Sequence, residues 1–138
     1  MAIDTIAGLK AKMPIGQPRS TSVQDLHDLL DTVEDRTTQQ VLVKTASYTA
    51  TLADNRRTIV FNAATSVTLT IPNSMPTGYQ LVVAQVGAGL VTISVSGGSL
   101  LSRDSHTRIA GQYGVAYLFV YANTGTAPQV ILSGDTAV

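Results

Sequence analysis

The stretch Ser66-Val67-Thr68-Leu69-Thr70-Ile71 decides the fold, because polar and apolar residues alternate along it. Side chains of a β-strand point alternately to the two faces of a sheet, so the pattern predicts a strand with Val67, Leu69 and Ile71 on one face. Pro72 ends the strand, since proline has no N–H to donate to a neighbouring strand. The sequence therefore predicts a sheet that buries the apolar face of this segment.

Further strand-like segments flank this one at a spacing of roughly ten residues. They are residues 41–44, 48–52, 57–62, 79–86, 90–95, 100–101, 107–109, 113–121 and 129–132. The turn 87–89 predicts a hairpin between two of them, 79–86 and 90–95. Regular strands and turns are typical of sandwiches and small barrels. We expect residues 41–138 to form a mainly-β domain, an antiparallel β-sandwich or small jelly-roll-like barrel.

Composition limits the classes of function. The 138 residues include no cysteine and carry a formal net charge of +0. Disulfides and thiolate metal sites are therefore excluded, and the basic surface typical of nucleic-acid binders is missing. No apolar run approaches the roughly 20 residues that a membrane span needs, and the first residues lack the order of a signal peptide. We expect a soluble protein with no cofactor, no metal, and no nucleic-acid or membrane partner.

Charged residues make up only 13% of the chain, and residues 58–102 and 109–134 contain none. Ordinary protein surfaces carry roughly a quarter or more. A β domain rich in Ser and Thr tolerates low charge, which is one interpretation. The other is that much of this surface meets partner subunits, because neutral polar groups cost less to desolvate than charges. We favour the second interpretation.

Residues 1–40 differ in pattern from the β domain and form a separate N-terminal region. Pro14 and Pro18 exclude a helix over residues 13–18, since the residue before each proline is held extended. The apolar residues of this extended arm are the candidate docking residues Ile3, Ile6, Leu9, Met13 and Ile15. Such an arm is either frayed or laid against a surface. We favour docking on a partner or on the β domain.

Residues 21–36 predict one short α-helix. Thr21 and Gln24 fit a capping box, in which each side chain binds the other residue's backbone N–H. The apolar stripe of this helix consists of Val23, Leu26, Leu30 and Val33, at helical spacing. A helix of about four turns is marginal alone, so the stripe must pack against something. Two interpretations of the stripe remain equally open. Either it packs within the chain, or it forms an oligomer seam or docks on another protein.

Candidate chemistry is sparse. Asp104, Ser105 and His106 supply the residue types of a catalytic triad, but sequence neighbours rarely have triad geometry, and a solvated loop is the simpler interpretation. His27 and Asp31 lie one helical turn apart without an evident third metal ligand. Tyrosines 113, 117 and 121 fall on one strand face and indicate a core or interface ladder more than a sugar-stacking platform. We expect no enzymatic activity.

Several segments resemble a module of tailed-bacteriophage structural proteins. They are residues 47–55 (SYTATLADN), 59–64 (IVFNAA), 67–72 (VTLTIP), 76–81 (PTGYQL), the turn 87–89 before 91–93, and 110–113 (AGQY). Residues 21–31 (TSVQDLHDLLD) are similar to a short leader that precedes such domains. The resemblance implies a compact β domain of the kind found in head fibres, capsid decoration proteins and tail-fibre parts, usually as trimers.

The order of arm, helix and β domain suits a protein seated on a capsid lattice. We therefore expect a capsid decoration protein, of the cement or head-fibre type. It is expected to be made in the host cytoplasm and to bind the outer capsid surface of the virion as a homotrimer. Its partner would be the major capsid protein or another virion protein, contacted through residues 1–40. The alternatives are a receptor-binding knob on a tail fibre or spike, contacting host glycan, and a small hydrolase.

Overall fold

The computed structural model describes residues 26–27 and 40–138 of the chain. Residues 40–138 form a mainly-β unit of two sheets. The first sheet, in spatial order, contains β1 (Val41–Lys44), β3 (Thr58–Phe61), β5 (Gln80–Gln85), β9 (Val115–Asn123), β10 (Pro128–Gly134) and β7 (Ser99–Ser102). The second contains β11 (Thr136–Ala137), β8 (Arg108–Ile109), β6 (Val91–Val95), β4 (Val67–Ile71) and β2 (Tyr48–Thr49).

The two sheets pack as a sandwich around one hydrophobic core, which confirms the predicted fold class. Val67, Leu69 and Ile71 of β4 are buried, as the alternation in this segment predicts. Facing side chains from the first sheet include Phe61 and Leu118, both fully buried. Because the chain has no cysteine, no disulfide supports this core, and burial of apolar surface stabilises it by about 25 cal/mol per Å².

Both sheets are mixed, which corrects the prediction that the fold is antiparallel. Strands β1, β3 and β5 run parallel in the first sheet, and β2, β4 and β6 do so in the second. From β1 to β6, each strand is followed by one in the opposite sheet, so these neighbours within a sheet start from the same end. Side chains alternate equally in parallel and antiparallel strands, so the sequence pattern is the same for both. The pairs β5–β9, β9–β10, β6–β8 and β8–β11 are antiparallel, and β7 pairs with β10 in parallel.

A constant offset relates the strand pair β3–β4 to the pair β5–β6. Thr58 pairs with Val82 and Ile71 pairs with Val95, an offset of 24 residues at both ends. The connections inside the two pairs are therefore equal in length and lie against each other. The Gly89 N–H, for example, donates a 2.8 Å hydrogen bond to the carbonyl of Ala63.

The turn 87–89 carries the chain from one sheet to the other, so the predicted hairpin between β5 and β6 is wrong. A Cβ on Gly87 would overlap with the backbone of Ala63, and one on Gly89 would overlap with the backbone of Thr65. The glycines are thus required for close approach of two backbones, not for a tight hairpin turn. The sequence signal is the same in both cases.

Several strand boundaries also differ from the prediction, and one strand was missed. The segment 48–52 is a strand only at Tyr48–Thr49, because Leu52–Asp54 form a 3-10 turn. Tyr113 precedes β9 with a positive φ of 67°, a conformation incompatible with a strand. The edge strand β11 was not predicted, since two residues carry too little alternation to be recognised.

Candidate functional site

The outward side of the first sheet is a candidate interaction surface. Residues paired across its strands form three rows of outward side chains. The first row consists of Val41, Thr58, Val82, Tyr117 and Ser133. The second consists of Val43, Val60, Ala84 and Val115. The third consists of Gln80, Phe119, Ile131 and Leu101.

We call these three rows the uncharged face, because none of their side chains is ionisable apart from Tyr117. Large apolar groups in it are accessible to solvent: Val43 is 58% exposed, Val115 45% and Leu101 40%. Val43 and Leu101 lie on the two edge strands, so apolar surface extends across the whole width of the sheet. Lys44 does not contribute to this face, because its Nζ lies over the Tyr48 ring, 4.1 Å from the centroid.

The outward side of the second sheet has the opposite character. One of its rows consists of Thr68, Thr92 and Arg108, and another of Thr49, Thr70 and Ser94. Hydroxyl groups at these positions hydrogen-bond to water and lose that bond when they are covered without a partner. Apolar groups have no such cost, and their burial lowers the free energy. The first sheet is therefore the side suited to contact with another surface.

A groove of about 310 Å³ lies at one end of the uncharged face, lined by residues that include Arg56, Gln80 and Tyr117. The Tyr117 hydroxyl donates to Oε1 of Gln80 at 2.7 Å. The backbone N–H of Arg56 donates to the backbone carbonyl of Gln80 at 2.8 Å. The Tyr117 and Gln80 side chains and the residue Arg56 thus border one groove. This combination suits a polar ligand with an apolar side, such as a sugar.

No protein-family model, curated protein or solved structure matches the chain. Function is therefore inferred from the two sheet faces and the groove. Within residues 26–27 and 40–138, no helix is long and apolar enough to cross a membrane. The same residues contain no cluster of three or more His, Asp or Glu side chains suited to a metal ion.

The tyrosine ladder lies partly on the uncharged face. Tyr117 and Tyr121 project outward from β9 and are 39% and 47% exposed, so they are surface residues and not core residues. Tyr113 lies before the strand and outside this row of side chains. The Tyr117 ring also contacts Phe119, with ring centroids 5.8 Å apart. Of the two predicted roles, core is excluded for this pair, and an interface remains a prediction.

The triad-like loop has contacts that differ from those of a catalytic triad. Nδ1 of His106 lies 2.9 Å from Oγ1 of Thr136, and the His106 carbonyl accepts a 2.8 Å hydrogen bond from the Ser102 hydroxyl. Both contacts join the loop to neighbouring strands. Ser105 has a φ of 60°, the conformation of a turn residue.

Most N-terminal candidates lie outside the described residues. These are the docking candidates Ile3, Ile6, Leu9, Met13 and Ile15 and the helix positions Val23, Leu30 and Val33. The predicted helix 21–36 is described only at Leu26 and His27, and both are helical. Leu26 is half-buried and His27 is exposed.

Sequence reasoning missed the uncharged face, although a signal for it exists. The segment 79–86 is largely apolar at both odd-numbered and even-numbered positions, which predicts that both sides of the strand are buried. In the structure one parity, with Leu81 and Val83, faces the core, and the other, with Val82 and Ala84, faces outward. Only the register of the neighbouring strands reveals that further apolar residues join Val82 and Ala84 in continuous rows.

Proposed function

We propose that the chain is a structural protein of bacteriophage particles that decorates the outer capsid surface as a homotrimer. The observation that carries the proposal is the uncharged face, a broad apolar sheet surface without ionic groups opposite a hydroxyl-rich one. It fits a protein whose role is contact with other subunits. The proposed location on a phage particle and the proposed number of three copies rest on the resemblance to phage head-fibre and decoration proteins.

In this proposal residues 1–40 attach the β unit to the major capsid protein or to another virion protein. A protein that binds only the assembled shell stabilises it, because binding to one state shifts the equilibrium toward that state. No reaction is assigned to the chain. Its buried carboxylate, Asp54, is engaged by Tyr48 and Thr51, and His106 is engaged by Thr136.

Immunogold labelling of purified virions with an antibody to the chain tests the location. We expect gold on the capsid. Labelling confined to the tail would contradict decoration and support a tail-fibre role, and absence from virions would contradict both.

Co-sedimentation of the full chain with capsids tests the docking region. The variant Leu9→Asp with Met13→Asp should lose capsid binding, because it places charge at two apolar docking positions. The control variant Thr5→Asp with Gln17→Asp adds the same charge at polar positions of the arm and should keep binding. Equal binding by both variants would contradict docking through these apolar residues.

A receptor-binding knob is the second candidate, and the groove beside Tyr117 favours it. The Arg56 side chain is exposed at the groove and can donate to a glycan. Binding of the purified chain to host cells that is lost in Arg56→Ala, while virions show the protein on the tail, would support this candidate over decoration. Failure to bind host cells or glycans would remove it.

A further inference from the structure

We infer that the uncharged face is the surface through which one copy of the chain binds a second copy. The inference deepens the proposed function, on which it rests for the expected number of three copies. It assigns the contact to the first sheet of the β unit and leaves the hydroxyl-rich face of the second sheet in solvent.

Charge favours a second copy as the occupant. When a surface meets its own copy, it meets the same set of charges that it carries. Charges of one sign then repel each other across the contact, and a surface without charge avoids this repulsion. The rows of the uncharged face have no carboxylate, ammonium or guanidinium group. Charged residues border the rows without belonging to them: Arg56 donates its backbone N–H to the backbone carbonyl of Gln80, and Asp135 donates its backbone N–H to that of Val115.

Polar groups on the face are compatible with being covered. The Tyr117 hydroxyl and the Gln80 side-chain oxygen are hydrogen-bonded to each other at 2.7 Å. Paired in this way, they lose less on desolvation than two free groups would. Covering the face therefore leaves the hydrogen bond between Tyr117 and Gln80 intact.

The size of the face reaches what a specific contact needs. Strands lie about 4.8 Å apart and alternate residues about 6.8 Å apart, so each outward residue covers about 33 Å² of sheet. The three rows then span on the order of 430 Å² in projection, and two copies bury roughly 900 Å² together before side-chain relief is added. Relief brings the accessible area to the order of 1,000 Å², where specific interfaces begin.

Apolar residues of the uncharged face are exposed on both edge strands of the first sheet. Val43 on edge strand β1 and Leu101 on edge strand β7 are both exposed. Covering the edge strands also protects their unpaired backbone groups from uncontrolled pairing.

The test is the mass of the full chain by sedimentation equilibrium, for the wild type and two variants. Val43→Glu with Val115→Glu places like charges in the second row, at two exposed positions. Thr49→Glu with Ser94→Glu adds the same charge at two exposed positions of the second sheet. We expect an oligomeric wild type, an oligomeric control, and at least a tenfold weaker association of the Val43/Val115 variant.

A monomeric wild type, or a Val43/Val115 variant that associates as strongly as the control, would overturn the inference. If that variant does not fold, maleimide labelling decides instead, because the chain contains no native cysteine. Val115→Cys, in the second row on β9, should react at least several-fold more slowly than Ser94→Cys in the oligomer and at a similar rate after dilution to monomer. Equal rates in the oligomer, or protection that persists in the monomer, would contradict contact between copies.

Failure of the proposed function gives a different result. An oligomer that loses association in Val43→Glu with Val115→Glu but binds no capsid keeps this inference and contradicts decoration. A dimer with the same dependence keeps the assigned surface and contradicts the trimer.

Discussion

The hydroxyl of Tyr48 donates a 2.7 Å hydrogen bond to Oδ2 of Asp54, a carboxylate that is only 2% exposed. The same oxygen accepts from the backbone N–H of Thr51 at 2.9 Å and from its hydroxyl at 3.1 Å. Asp54 thus connects the 3-10 turn to Tyr48 of β2. An Arg57 nitrogen 3.6 Å from the carboxylate adds an ion pair.

Replacing Asp54 by alanine should lower the free energy of unfolding by about 2 kcal/mol, because it removes the hydrogen bonds that this buried carboxylate accepts from Tyr48 and Thr51. The measurement is urea denaturation of the full chain. Asp104→Ala is the matched control, since Asp104 is exposed in a loop, and its effect should stay within about 0.5 kcal/mol. A similar small effect at Asp54 would show that the carboxylate does not hold this turn.

Because Tyr79 is buried, we expect the free energy of unfolding to fall at alkaline pH. Burial of the side chain, with a smaller contribution from the nearby charge of Asp54, raises the pKa of Tyr79 well above 10.0. The folded state therefore favours the neutral phenol, and this contribution is complete below pH 10.0 and is lost as the pH rises above it toward the folded-state pKa. Burial and the hydrogen bond to Asp54 also raise the pKa of Tyr48, with the same sign.

Tyr79→Phe should consequently flatten the decline in unfolding free energy above about pH 10, measured by urea denaturation from about pH 8 to about pH 12. At the lower pH it should cost about 1 kcal/mol, because the Tyr79 hydroxyl donates to the Thr51 carbonyl at 2.7 Å. Tyr113→Phe removes an exposed hydroxyl and serves as the control. An unchanged alkaline slope in Tyr79→Phe would contradict the role given to this side chain.

The stacked turns make a prediction about two glycines. Gly87→Ala and Gly89→Ala should each destabilise the chain by about 2–3 kcal/mol, since the added methyl overlaps with the backbone of the preceding turn. Gly111→Ala is the control, because a Cβ there has no heavy atom within 4 Å outside its chain neighbours. Thermal unfolding followed by circular dichroism compares the three variants. Equal midpoints for Gly87→Ala and Gly111→Ala would mean that the turns are not in contact.

Strand positions were largely predictable from the sequence, because burial acts on each side chain by itself. Alternation at Val67, Leu69 and Ile71 correctly marks the core face of β4. Which strands pair, and in which direction, depends on contacts between distant segments that share the same alternation. That is why the parallel neighbours β3 and β5 and the sheet-crossing turn at Gly87 were not predicted.

The candidate interaction surface was predictable only in its chemistry. The lack of charge over residues 58–102 and 109–134 is visible in the sequence and indicates a covered surface. Its location is not visible, because Val43, Ala84 and Val115 lie far apart along the chain. The register of β1, β3, β5 and β9 places them in one row with Val60.

An experimental structure of the assembled full chain, in solution or on virions by cryo-electron microscopy, tests the central claim most directly. It should show Val43, Val115 and Tyr117 of one copy buried against another copy, with Thr49 and Ser94 in solvent. An assembly in which the copies meet through the hydroxyl-rich sheet, or in which the first sheet's outward side remains open to solvent, would contradict the account.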